Sequence, residues 1–191
     1  MLTQGKSPNE VIGLFVKNIN GVIKMDFSLQ QLSLVELATL FPHRDVSQSQ
    51  YTFADKALPP NHVFSRSIEL SEEGKALFWS MPYLMKDETD CVIGACGFNS
   101  EPINGEVDIS CHVSPTYQNL GVAEKAVKQL LDRAFVYANQ AGNELTKILA
   151  LIPCDNHASK KVAQKIGFTL LPETQSNNQF EKWCYQQAPS L

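Results

Sequence analysis

Gln118-Asn119-Leu120-Gly121-Val122-Ala123 joins an alternating apolar run, Val107 to Val113, to a long stretch with helical periodicity, and such a junction can bind an anion. The first N–H groups of a helix have no partner inside it, and the aligned peptide dipoles add positive potential there, which suits phosphate oxygens. Gly121 gives an oxygen room to reach the main chain, and Ala123 keeps the next turn small. Further along, Asn156, Ser159 and Ala163 stand at i, i+3 and i+7 of a second helical stretch, so an amide and a hydroxyl share one face. Each also has a purely structural reading, Asn156 as a helix N-cap and Ser159 as an ordinary helix serine. Glu106 and Asp108 alternate onto one face of the strand before the loop, either as solvated surface charges or as proton acceptors acting directly or through water.

The elements that must position these residues follow from periodicity. Ser7-Pro8-Asn9-Glu10 has the form of a helix start, with a capping Ser, Pro in the first turn and Glu three residues after the cap, and predicts a short helix to about Asn18. Gly21 breaks it, Val22 to Phe27 alternates as a strand, and Leu29 to Phe41 reads as a helix. Pro42 to about Asn61 is polar and broken, which marks a loop facing the substrate. Leu77, Trp79, Met81 and Tyr83 recur with period two, with Pro82 implying an edge or bulge, and lead to a turn at Lys86 to Asp90. Cys91 to Phe98 and Glu106 to Val113 complete an antiparallel meander, with the turn Asn99 to Gly105 between them.

After the meander the style of the chain changes. Leu120 to Gln140 is an amphipathic helix with Ala123, Val127, Leu130, Leu131, Ala134 and Ala138 on its buried stripe. Ile148 to Ile152 has no polar alternation, as expected of a strand covered on both faces and paired in parallel. A helix from Asn156 to Ile166, with Val162 and Ile166 on a buried face and Gly167 as its stop, precedes strands near Phe168 to Leu171 and Phe180 to Tyr185. The sequence therefore predicts an α/β (α+β) fold with a mixed central sheet: an antiparallel N-terminal meander, a central βαβ unit and C-terminal strands.

Composition limits the function. With 191 residues, 43% hydrophobic and 19% charged, the chain fits a single domain spanning 1–191, with residues 1–20 as a helical extension. Apolar runs such as Ile148 to Ile152 fall far short of the ~18 residues that a membrane span needs. Met1 to Pro8 lacks a basic-then-apolar signal pattern, so a cytoplasmic location is expected. A net charge of −4 gives no basic footprint for nucleic acid, and neither nucleic acid nor membrane is expected as a partner. The five cysteines have no C-x-x-C spacing and read as reduced, mostly buried thiols. The four histidines show no metal-ligand spacing, and no metal is expected. His112 is assigned to packing or hydrogen bonding, His157 to the surface, and Trp79, Tyr83 and Trp183 to the core.

The strand, the Q-x-x-G-x-A loop and the helix that follows resemble the acyl-CoA pyrophosphate loop of the GNAT N-acetyltransferases. The run from Asn156 to Phe168, NHASKKVAQKIGF, is similar to the N-x-x-S-x-x-V-x-x-K-x-G-F signature of the branch that includes the ribosomal-protein N-terminal (alanine/serine) acetyltransferases. The resemblance is good over 77–185 and poor before it. It implies a GNAT fold whose βαβ unit binds acyl-CoA, with acetyl-CoA as co-substrate and an amine acceptor, either a protein N-terminus or a small amine. It implies that the main chain of Cys111 and Val113 pairs with pantetheine like an added strand, that amides of Gln118, Asn119, Leu120, Gly121, Val122 and Ala123 hold the pyrophosphate, and that Asn156 hydrogen-bonds the pantetheine arm.

For catalysis, the resemblance places Asp108 where this branch carries a strand carboxylate, with Glu106 as its substitute, and puts Ser159 near the thioester sulfur. Many GNAT enzymes carry a tyrosine four positions beyond that serine. Ala163 stands there instead, which leaves Ser159 as the donor to the departing thiolate. Cys111 is assigned to buried packing rather than to nucleophilic attack. An amine must be neutral to attack: at pH 7 this costs about 4.6 kcal/mol for a lysine side chain and about 1.4 kcal/mol for an α-amino group. A weak base is enough for the second. The alternative reading is a catalytically silent GNAT-fold module that binds CoA or a protein partner.

Overall fold

The computed structural model describes residues 16–19, 22–41, 50–172 and 179–187. Two short strands, β1 (Val16–Ile19) and β2 (Val22–Met25), pair with each other in an antiparallel ladder from Val16↔Met25 to Ile19↔Val22. The β-branched residues at Val16, Ile19, Val22 and Ile23 favour that ladder. Of the helix expected from Ser7 to Asn18, the last three residues thus belong to a strand, and the part before residue 16 lies outside the described residues.

Among the described residues the main sheet has eight strands, β3 (Phe27–Gln31), β4 (Thr52–Phe53), β5 (Tyr83–Asp87), β6 (Cys91–Phe98), β7 (Glu106–Val113), β8 (Lys147–Pro153), β9 (Thr169–Leu170) and β10 (Phe180–Gln186), in the order β3-β5-β6-β7-β8-β10-β9, with β4 paired to β6 off that path. β3 (Phe27–Gln31) takes up what the sequence reading divided between the end of a strand and the start of a helix. Phe27 and Leu29 are buried and Ser28 is exposed, which is the period of a strand. The helix that follows, α1 (Leu34–Leu40), starts only at a capping box: Ser33 Oγ accepts from the Glu36 amide at 3.2 Å and Glu36 Oε2 accepts from the Ser33 amide at 2.7 Å. In the expected loop from Pro42 to Asn61, residues 42–49 lie outside the described residues; β4 (Thr52–Phe53) pairs in parallel with Cys91 and Val92.

A helix absent from the sequence reading, α2 (Asn61–Glu72), packs on the sheet through Phe64 and Ser67. Leu77, Trp79 and Met81 do not form a strand either. Leu77–Ser80 is a single helical turn, α3, and Met81 is extended at φ −92°, ψ 138°, as the residue before a proline must be. β5 (Tyr83–Asp87) therefore begins after Pro82. It runs through Lys86 and Asp87, the first two residues of the expected turn. Trp79 is buried in an aromatic group with Phe78, Phe98 and Tyr137.

β6 (Cys91–Phe98) and β7 (Glu106–Val113) complete the meander. Val107, Ile109 and Val113 share one core with α4 (Val122–Ala141), whose buried Val122, Ala126, Leu130, Ala134 and Ala138 recur every fourth residue. The other face of the sheet packs Val92 and Ala95 against Phe64 of α2 and Leu37 and Leu40 of α1. β8 (Lys147–Pro153) lies between β7, in parallel, and β10 (Phe180–Gln186), antiparallel, and β9 (Thr169–Leu170) closes the edge. β8 was expected to be covered on both faces, yet Leu151 is 58% exposed. Beyond Leu149 the strand has parted from β7.

Candidate active site

The central feature is that parting. β7 pairs with β8 over Glu106–Asp108 against Lys147–Leu149, and there the ladder ends. β7 continues to Val113 beside β6, while β8 continues to Pro153 beside β10. The Asp108 carbonyl accepts from the Asn99 amide and the Ser114 amide donates to the Ile93 carbonyl, so even-numbered residues turn their main chain toward β6. The odd-numbered Ile109, Cys111 and Val113 consequently turn theirs into the gap, because successive residues of a strand alternate. An extended chain inserted there would find strand-like partners.

The α4 N-terminus stands beyond the C-terminal end of β7. Asn119 and Gly121 take left-handed conformations, at φ 62° and 75°. Open space surrounds the position of a Gly121 Cβ, so the need for glycine there comes from φ rather than from crowding. Gly121 is the N-cap and the helix has no side-chain cap; the first intrahelical bond runs from Lys125 N–H to the Gly121 carbonyl. The amides of Val122, Ala123 and Glu124 thus have no intrahelical partner. Glu124 was not among the expected residues, and the helix-start position is the signal that identifies it. Gln118 is used within the loop: its amide donates to the Pro115 carbonyl and its side chain donates to the Val113 carbonyl at 3.2 Å.

Asn156 caps α5 (His157–Ile166), its Oδ1 accepting from the Ser159 amide at 3.0 Å. Ser159 is half-exposed, and Ala163, one turn on, is the buried residue of this helix; Val162 and Ile166, expected to be buried, are only partly so. Lys165 pairs with Glu124 at 2.6 Å, which fixes α5 beside the first turn of α4. Asn156, Ser159 and the Gly121 region are therefore all borne on the α4–α5 pair.

The two strand carboxylates have separated in character. Glu106 is ion-paired to Lys147 at 2.7 Å, and that hydrogen bond holds its pKa below the ordinary value. Asp108 faces a cavity of about 380 Å³ lined by Ser100, Asn104, Leu149 and Lys182 among others. Among the described residues one of its oxygens, Oδ1, is buried and without a hydrogen-bond partner, as is Oδ1 of Asn99. Burial pushes the Asp108 pKa up, repulsion from Glu106 adds to this, and Lys182 opposes it. A carboxyl made more basic and left with a vacant acceptor is equipped to take a proton.

A second cavity of about 220 Å³ lies between α2 and the β6–β7 strands, with Val63, Arg66 and Ser67 on one side and Ala95, Ser110 and Cys111 on the other. Ser110 lies on the same face of β7 as Asp108, two residues along. Cys111 is exposed rather than buried as expected and is among the residues lining this cavity, its side chain being on the face opposite Ser110, with Ile109 and Val113. The surrounding protein still desolvates its thiol and pushes the pKa up to about 12, so it is a neutral thiol at pH 7 rather than a nucleophile. His112 Nε2–H donates to the Lys56 carbonyl at 2.6 Å, a structural tie, and His157 is exposed. Trp79, Tyr83 and Trp183 are in the core. Among the described residues no cluster of His, Cys, Asp and Glu could hold a metal ion, and no helix is long and apolar enough to cross a membrane.

The parted parallel strands open toward the uncapped start of α4. The chain belongs to the GNAT acetyltransferases: the model of the acetyltransferase (GNAT) domain matches residues 29–169, reaching back well before residue 77. An uncharacterized N-acetyltransferase, p20, of Bacillus licheniformis is 34% identical over 101 residues, a match spanning 52% of this chain and 52% of that protein. The chain thus matches about half the length of that relative. Two solved structures share the fold. Mutant forms of a spermidine/spermine N-acetyltransferase from Vibrio cholerae superpose with a TM-score of 0.57 at 16% identity, covering 84% of this chain and 94% of theirs. A ribosomal-protein-S5-alanine acetyltransferase from Vibrio fischeri superposes with a TM-score of 0.55 at 16% identity, covering 84% of this chain and 92% of its own.

Proposed function

We propose that this chain transfers an acetyl group from acetyl-CoA to a primary amine by direct attack. The observation that carries the reading is the gap between β7 and β8, with main-chain groups of Cys111 and Val113 turned into it and the uncapped start of α4 at its mouth. In this reading the amides at Gly121, Val122, Ala123 and Glu124 hold the pyrophosphate. Asn119 and Leu120 complete the turn that presents them, and Gln118 braces the loop against Val113. The Cys111 main chain and the Val113 amide pair with the pantetheine arm, and Asn156 lies alongside it. When bound, acetyl-CoA supplies the acetyl group as a thioester.

Asp108 accepts the proton of the attacking amine as the new C–N bond forms, using the oxygen that has no partner in the fold. Glu106 is held by Lys147 and is not the base. Ser159 hydrogen-bonds the sulfur as the C–S bond breaks. An α-amino group suits this site better than a lysine side chain, since a single moderately basic carboxylate has less to overcome. Calorimetry with acetyl-CoA followed by thiol release with an amine panel tests the reading. Binding with turnover supports it; binding without consumption across peptides and small amines would make the chain a silent CoA-binding module; no binding would end both.

A further inference from the structure

Arg66 has no role in the steps above, yet it lies in the cavity that leads to β7. It stands one turn after His62 on α2, and the stripe His62, Val63, Arg66 and Ser67 lines the side of the cavity opposite Ser110 and Cys111. The side chain is half-buried, and burial alone draws its pKa below the ordinary value. Among the described residues its guanidinium makes no hydrogen bond and no ion pair. A guanidinium carries five N–H donors, and withdrawing them from water without acceptors is unfavourable. Among the described residues no Asp or Glu is on the lining of this cavity, and Arg66 and His62 are its available basic groups, His112 being tied to the Lys56 carbonyl. The carboxylates Glu106 and Asp108 face the other cavity, together with Lys182.

We infer that this cavity selects an acceptor whose primary amine is joined to a carboxylate, with Arg66 holding the carboxylate and His62 beside it. The inference rests on the acetyl-transfer reading and gives it a substrate class. Arg is suited to the task, because its planar fork meets a carboxylate through two parallel hydrogen bonds. A polyamine has the wrong charge for this lining. The shared fold with a spermidine/spermine acetyltransferase therefore does not extend to the acceptor. Two sources present the same chemistry: a free amino acid-like compound, or a peptide N-terminus with an acidic residue close behind.

The test measures thiol release from acetyl-CoA by the full chain with two matched pairs and spermidine. The first pair is β-alanine and β-alaninamide; the second is a C-terminally amidated peptide beginning Ala-Asp and its Ala-Asn counterpart. The carboxylate member of at least one pair should show a kcat/KM about ten- to a hundredfold above its amide and above spermidine, and the responding pair identifies the source. Arg66→Gln should bring that ratio within about twofold by raising KM for the carboxylate member, while Arg66→Lys should keep part of it. Equal rates within both pairs, a preference for spermidine, or an intact ratio in Arg66→Gln would overturn the inference and leave the acetyl-transfer reading standing. No release with any acceptor, and no acetyl-CoA binding, would remove both. The wild-type comparison decides even if Arg66→Gln fails to fold.

Discussion

The two sides of this molecule meet at β7 and recognise by different means. On the α4–α5 side, the proposed donor site is main chain: amides at a helix start and strand groups turned into a gap. On the α2 side, the cavity is built largely from side chains, Arg66, His62 and Ser67 over Ser110. A site made of backbone can be occupied by the same ligand under many sequences, whereas a site made of side chains changes its ligand with each substitution. One fold can thus keep a main-chain site while its side-chain site varies.

Substitutions can test how separate the two sides are. Asp108→Asn, at their junction, should have the largest effect, lowering kcat by about 10²- to 10⁴-fold in thiol-release kinetics with acetyl-CoA binding retained in calorimetry. Because the Asp108 pKa is raised in the fold, its charged form is disfavoured there: it opposes folding above the unfolded-state pKa, and the penalty fades as pH falls. The same variant should therefore melt no lower than the wild type at pH 7. The acid limb of the wild-type kcat/KM profile should fall off above the pH of an ordinary aspartate. Gly121→Val should come next. Forcing a β-branched residue to φ 75° costs about 1–2 kcal/mol and should weaken acetyl-CoA binding roughly tenfold, with the acceptor preference intact. If the preference changes as well, the two sides are not independent.

Ser159→Ala should be milder, about fivefold in kcat for the loss of one hydrogen bond to the sulfur, with KM for the acceptor little altered. Glu106→Gln should be the smallest, within about threefold in kcat, because it breaks a solvent-screened pair with Lys147 and leaves Asp108 in place. An effect of Glu106→Gln as large as that of Asp108→Asn would reverse their roles.

The helix ends on the α4–α5 side were the legible part. Gly121 and the Asn156–Ser159 spacing are rules about helix ends, and helix ends are written locally in the sequence. The stripe on α4 read correctly for the same reason, although Ala123 and Ala126 exchange places on its buried face. The rest depended on what lies across space. Phe27 and Leu29 alternate whether or not a helix follows, and only the Ser33–Glu36 box decides where the strand stops. Period two from Leu77 to Tyr83 misled because four residues of aromatic-rich helix and an extended residue before Pro82 bury Trp79 equally well. α2 does not stand out in the sequence although Phe64, Ser67 and Ile68 have helical spacing, since the polar Ser67 interrupts the apolar stripe close after Pro59-Pro60. Arg66 could not be singled out from sequence. An arginine on a polar helix is ordinary until the structure leaves it without a partner.

The parting of β7 from β8 also bears on solubility. Unpaired strand groups usually lie at the rim of a sheet, where another chain can pair with them and begin aggregation. Here the main chain of Cys111 and the amide of Val113 face a gap in the middle of the sheet, in a wedge closed at one end by the pairing of Asp108 with Leu149. A neighbouring protein strand cannot reach an edge placed there. A strand's pairing capacity is thereby placed inside the sheet rather than at its rim.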